Sequence, residues 1–221
     1  MHRQSYWVRI LKFIAGLAIT AVGISFTVQA NIGTEPWSVL HQGISLVTGI
    51  SFGNATAVVG AVAIALGLLL GEKIGVGTIG NIVLTAPMLD AIFASNLVPL
   101  QHTLWGGLIM MVIGLELITL GTWLYMDSEL GAGPRDALSV GLAKLTHRST
   151  GFCRSSMEVI ATVVGFIMGG QLGIGTLVAA IGIGILFQLN FKLLHFDPTK
   201  LQQENLRDTW NVICGHKKAK Q

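Results

Sequence analysis

The stretch Gly131-Ala132-Gly133-Pro134-Arg135-Asp136 has a counterpart 98 positions upstream, Gly33-Thr34-Glu35-Pro36-Trp37-Ser38. The same 98-residue offset, held without a gap, sets Gly16 on Gly114, Gly23 on Gly121, Gly43 on Gly141, Gly67 on Gly165 and Gly71 on Gly169. It also sets Gly75-Val76-Gly77-Thr78 on Gly173-Ile174-Gly175-Thr176. A merely glycine-rich composition would scatter matches over many offsets. One register kept this long is a tandem duplication, so both copies must build the same elements in the same order.

What those elements are follows from hydropathy. The chain is 52% hydrophobic and 11% charged, with a mean hydropathy of +0.67, whereas soluble domains spend about a quarter of their residues on charge. A membrane-crossing helix needs roughly 20 mostly apolar residues. Six stretches qualify, at about 10–30, 54–71, 79–97, 104–126, 155–170 and 176–194. The first exceeds a signal-peptide core and has an internal equivalent, so it reads as a retained span. Cys153 and Cys214 are too few, and too differently placed, for a disulfide framework or a metal site. The net charge of +3 comes from Lys and Arg beside spans and in the tail, the pattern of cytoplasmic loops and not of nucleic-acid binding.

Between the first two spans of each copy lies a shorter piece opened by Pro36 or Pro134, residues suited to the first helical position. From Pro36 to Gly49 is about 14 residues, or roughly 21 Å at helical rise, short of the ~30 Å hydrocarbon core. Such a half-helix is re-entrant or interfacial. Segments 31–53, 98–103 and 171–173 contain no Lys or Arg, whereas Lys73, Arg135, Lys144, Arg148, Arg154 and the tail fall on the opposite side if each copy has three spans. That arrangement obeys the positive-inside tendency, and an odd number of spans inverts the second copy. The expected fold is therefore an all-α polytopic membrane protein of two inverted three-span repeats with half-helices. Its divisions are a cytoplasmic N-terminus (1–8), repeats at 9–98 and 107–195, and a cytoplasmic tail (196–221). Leu206, Trp210 and Ile213 stand at helical spacing in that tail.

Gly33-x-x-Pro36-Trp37, Gly75-x-Gly77-Thr78, Gly131-x-Gly133-Pro134-Arg135-Asp136 and Gly173-x-Gly175-Thr176 resemble the YczE/YyaS/YitT group of bacterial integral membrane proteins, nearest its YczE branch. The resemblance runs over about residues 9–195. The first copy departs from the group's Gly-Pro-Trp-Asp form, with Glu35 in place of the glycine and Ser38 in place of the acid. The resemblance implies a bacterial cytoplasmic membrane protein with a shared fold and no settled activity.

Several residues could carry chemistry. Asp136, at the start of a half-helix, suits the positive dipole end, and the free amides there could meet an anion. Arg135 adds a planar cation for carboxylate or phosphate; the alternative is a structural clamp in which it pairs with a carboxylate. With Pro134, these two form one half of a substrate-binding or gating site whose twin is Glu35, Pro36, Trp37, Ser38 and His41. Intramembrane charges are costly enough to suggest function, which makes Glu116, Asp90 and Glu158 candidates for coupling to a proton or cation. For Glu158 a local pair with Arg154 is the simpler alternative, and for Asp90 mere solvation. Gly75, Gly77, Thr78, Gly173, Gly175 and Thr176 are helix-turn residues, with the threonines expected to cap the helices that follow.

No catalytic motif, phosphate loop or metal-ligand spacing is present in the sequence. The chain is expected to be a membrane transporter or permease for a small molecule or ion, and not an enzyme, with no metal, cofactor or nucleic acid involved. Its partners would be the bilayer, an unknown solute and, where it self-associates, its own copies. The competing readings are a non-transporting scaffold or accessory protein and an intramembrane lipid enzyme.

Overall fold

The computed structural model describes residues 5–131, 133–196, 203 and 204. Among the described residues the chain is all-helical: α1 (Tyr6–Gln29), α2 (Pro36–Thr48), α3 (Phe52–Leu69), α4 (Val76–Ser95), α5 (Leu104–Met126), α6 (Pro134–Thr146), α7 (Thr150–Ile167) and α8 (Ile174–Leu193). Shifted by 98 residues, α2, α3 and α4 coincide with α6, α7 and α8 at both ends, and α1 differs from α5 by one residue at its end. The matching bounds have matching local causes. Pro36 and Pro134 open the half-helices, and Ser51 and Ser149 cap α3 and α7 by accepting from the amides of Asn54 and Phe152. Six helices are long and apolar enough to cross a membrane, α2 and α6 being the exceptions. At 13 residues each, these two reach only about 20 Å.

At the centre, α1 and α5 cross antiparallel at glycine pairs. A Cβ on Gly16 would come within 2.7 Å of the Gly121 carbonyl, and one on Gly23 within 2.7 Å of the Gly114 carbonyl. Each contact joins the first glycine of one copy to the second of the other. Backbones that meet this closely gain dispersion contact that larger side chains would prevent. Around this crossing, α4 packs on α1 and α8 on α5. Each half-helix packs against the other copy as well as its own, α2 on α7 and α6 on α3.

The threonines of the Gly-x-Gly-Thr motifs cap the helices that follow, as expected, but do so from the third helical position. Helices α4 and α8 begin inside them, so Thr78 and Thr176 lie in the first helical turn and do not precede it. Their hydroxyls reach back 3.3 Å to the amides of Gly75 and Gly173. The second glycine of each motif donates across the copies, Gly77 N–H to Leu130 O and Gly175 N–H to Ile32 O, both at 2.8 Å. Each motif thus docks by backbone contact onto the loop that leads into the opposite copy's half-helix.

The two ends of the bundle differ in chemistry. One carries ion pairs: Arg9–Glu204 at 2.6 Å, Lys12–Asp127 at 2.6 Å and Lys144–Glu72 at 2.7 Å. The other is tied by amides, with Asn31 Nδ2 donating to Gln101 O at 3.0 Å and Gln171 Nε2 to Asn31 Oδ1 at 2.7 Å. The helix expected in the tail falls outside the described residues.

Candidate functional site

Arg135, in the first turn of α6, reaches across the bundle to α2. Its Nη2 donates to Nε2 of His41 at 3.2 Å, and its guanidinium lies 4.6 Å from the centroid of the Trp37 ring. His41 is fully buried. Its Nδ1 is 3.1 Å from Oγ1 of Thr56, which itself donates to the carbonyl of Phe52 at 3.0 Å. With the threonine hydrogen so committed, Nδ1 must carry the histidine proton and Nε2 must present a lone pair to Arg135. His41 is therefore the neutral Nδ1–H tautomer. Burial, and then the positive charge of Arg135, hold its pKa well below the ordinary 6.5. The ring of Phe52 meets the imidazole edge-to-face at 5.7 Å.

Beside this pair, Glu35 is only 6% exposed, and its Oε1 accepts from Oγ of the fully buried Ser38 at 2.7 Å. On the other half-helix, Asp136 sits in the first turn of α6, where the helix dipole favours a carboxylate. Its Oδ1 accepts from Arg154 Nη1 at 3.1 Å, and Arg154 Nε donates to Glu158 Oε1 at 3.3 Å. A polar chain thus runs from Thr56 on α3 through His41 and Arg135, passes along the backbone to Asp136, and ends at Arg154 and Glu158 on α7. It crosses both copies.

The structure brings together most of the expected site and changes the roles of the rest. Glu35, Trp37, Ser38, His41, Arg135 and Asp136 converge, with Pro36 and Pro134 at the helix starts that aim them. No described carboxylate lies within 4.0 Å of Arg135; its direct contacts are an imidazole and an indole, and the charges of Glu35 and Asp136 act on it from further off. Glu158 makes the expected pair with Arg154 and thereby joins the chain. Asp90 is half-buried and takes the Ser51 hydroxyl at 2.6 Å and the Gly53 amide at 2.8 Å at the start of α3. Glu116 is not a lone carboxylate. Asn190 on α8 donates to its Oε1 at 3.0 Å and to Thr119 Oγ1 at 2.8 Å.

Thr56 and Asn190 are participants that the residue pattern did not single out. Thr56 holds the position of Arg154 in the 98-residue register, and that correspondence could have found it. Asn190 has Ile92 as its counterpart, the same polar-for-apolar contrast that marks Glu116.

Residues 7–192 match a family described as "Family of unknown function (DUF6198)". The chain belongs to that family. Over 194 residues it is 34% identical to an "Uncharacterized protein" of Haemophilus influenzae, covering 86% of this chain and 88% of the relative. It is 29% identical over 190 residues to the "Uncharacterized membrane protein YczE" of Bacillus subtilis, covering 85% and 87% of the two chains. With the same organism's "Uncharacterized protein YyaS" the identity is 28% over 176 residues, covering 79% and 88%. No solved structure matches the chain. This DUF6198 member is thus a YczE/YyaS-type membrane protein, and its glycine–proline and Gly-x-Gly-Thr motifs all lie within the matched stretch.

Proposed function

We propose that this DUF6198 protein carries a small molecule or ion across the bacterial cytoplasmic membrane, with both termini inside. The observation that carries the reading is the meeting of two half-helices from different copies, bridged by Arg135 to His41 and Trp37. Helix starts that face one another across a bundle present free amides and dipole ends to a common point, the usual construction of a solute site in repeat-built carriers. An arginine whose direct contacts are an imidazole and an indole, with the Glu35 and Asp136 carboxylates beyond bonding distance, keeps donors for a ligand. The antiparallel crossing of α1 and α5 supports an inverted second copy. So does the segregation of the ion pairs at one end from the amides at the other. In this arrangement α2 enters from outside and α6 from inside, and the glycine crossing lets the halves rock about a fixed centre.

The test is a thermal-shift screen of the purified full chain against inorganic ions and small carboxylates, amines and phosphates, followed by flux of any hit in proteoliposomes. A ligand that binds only the folded form raises its stability. The expected result is a hit whose stabilisation and flux are both lost in Arg135→Lys while that variant's unliganded melting temperature stays near wild type. Flux unchanged in Arg135→Lys would move the site elsewhere, and a stable protein with no hit and no flux would favour the scaffold.

A further inference from the structure

The loops that lead into the two half-helices turn alike and are held differently. Each has a left-handed residue two places before a left-handed glycine: Asn31 (φ 56°) before Gly33 (φ 101°), and Glu129 (φ 55°) before Gly131 (φ 147°). Asparagine tolerates that conformation, whereas the longer glutamate is strained by it. In the first copy the Gln101 amide donates to the Gln29 carbonyl at 2.9 Å, and Asn31 Nδ2 donates to the Gln101 carbonyl at 3.0 Å. In the second copy two residues of the tail, Gln203 and Glu204, take this place. The Glu204 amide donates to the Glu129 carbonyl at 3.0 Å, and Gln203 Oε1 accepts from the Gly131 amide at 3.0 Å. Both left-handed residues of the loop are thus bonded directly to the tail. A Cβ on Gly75 would strike the Glu204 carbonyl, so the first glycine of that motif leaves room for the tail backbone. The Glu204 side chain is 13% exposed and pairs at 2.6 Å with Arg9, which is 8% exposed. Arg9 Nε in turn donates to the Ser128 carbonyl at 2.7 Å.

We propose that Gln203 and Glu204 form a releasable latch on residues 127–133, and through them on the first turn of α6, which carries Arg135 and Asp136. Two features make it releasable. Gln101 lies between α4 and α5 and is tethered by a span on each side, whereas among the described residues Glu204 is tethered to a span, α8, on one side. Its seat therefore rests on the contacts above. Chief among them is a buried ion pair, whose attraction is largely offset by the desolvation of both charges. Once the tail leaves, Glu129 loses the bond that holds its left-handed conformation, and a strained residue without such support relaxes. That relaxation shifts the start of α6. The latch thus couples the ion-paired end of the bundle to the arginine inside it. In a carrier, release would open the solute site toward that end; this consequence rests on the proposed function, and the latch itself does not.

The experiment is hydrogen exchange of the purified full chain, read at single amides, for wild type and Glu204→Ala. In wild type the Glu204 and Gly131 amides should exchange together, about a hundredfold faster than the Gln101 amide, because they open locally and not by global unfolding. Glu204→Ala should speed exchange at Gly131 by about a further tenfold and leave the melting temperature within about 2 °C of wild type. A chain ending at Phe196 should exchange at Gly131 at least as fast as that variant. Glu204 and Gly131 amides as slow as that of Gln101 would overturn the proposal by making the contact permanent. So would unchanged exchange at Gly131 in both variants, or a Glu204→Ala chain loosened throughout with a much lower melting temperature, the mark of a static brace. Failure of any solute to cross the membrane would count against the carrier and leave these exchange rates as the measure of the latch.

Discussion

The two copies share a backbone and differ in what that backbone presents. Their glycines meet in reciprocal pairs, Gly16 with Gly121 and Gly23 with Gly114, and their helix bounds coincide. Against this common frame the side chains diverge. Where the second half-helix carries Arg135 and Asp136, the first carries Trp37 and Ser38, and His41 corresponds to Ser139. Helix α3 packs along α4 in the first copy, whereas among the described residues α7 packs mainly on α2 and α6 and less on α8. Duplication supplies close backbone packing at little cost in sequence, because only glycines are required. Divergence of a few polar positions then makes one asymmetric site from a symmetric scaffold.

The sharpest break in the symmetry is Gly53 against Gly151, one position in two copies. A Cβ on Gly53 would strike the Ala86 carbonyl and come within 2.7 Å of the Asp90 carboxylate, whereas one on Gly151 meets nothing. Gly53→Ala should therefore destabilise by about 2–3 kcal/mol, as overpacking does, and Gly151→Ala by less than about 0.5 kcal/mol. Thermal melts of the two variants side by side measure the difference. Equal losses would mean that α7 and α8 are packed like α3 and α4.

Asp90 and Gln188 form the next pair. Asp90 accepts a hydroxyl and a backbone amide at the start of α3, and hydrogen bonds to a charged group contribute about 1.5–3 kcal/mol. Gln188 is exposed. Asp90→Ala should lower stability by about 2 kcal/mol, and Gln188→Ala should leave it within about 0.5 kcal/mol. Similar small effects in both would remove the capping role.

The 98-residue register made much of this legible in advance, because a repeated glycine or proline states a backbone requirement twice. Pro36 and Pro134 marked both half-helices, and the Lys- and Arg-free segments separated the two ends. What stayed hidden depends on rotamers across copies. Nothing local to Arg135 says that it will reach an imidazole and an indole in preference to a carboxylate. Asp90 looked like an intramembrane charge because the helix start it caps is 37 positions away. Thr78 and Thr176 are legible as caps; that they act from inside the first turn, with Gly77 and Gly175 docked onto Leu130 and Ile32, depends on contacts between the copies.

A smaller effect belongs to His41, which has no titrating counterpart because Ser139 stands there. Its folded pKa is depressed below 6.5, so the unfolded chain takes up the proton first as pH falls. Stability from its neutral form is complete above 6.5 and declines below it, by at most about 1.4 kcal/mol per pH unit. Melting temperatures of wild type and His41→Gln should therefore converge as pH drops from neutral toward 5. Parallel curves would show that His41 is not the buried neutral group.

The central claim is that the copies are inverted, so that α2 and α6 enter from opposite faces and meet at Arg135. Single cysteines at Ile50 and Arg148, in a background with Cys153 and Cys214 replaced by alanine, sit just beyond the C-terminal ends of these half-helices. In intact cells a membrane-impermeant maleimide should label position 50, and position 148 only after the membrane is permeabilised. Labelling of both positions in intact cells, or of neither until permeabilisation, would place both half-helices on one side and contradict the inverted arrangement.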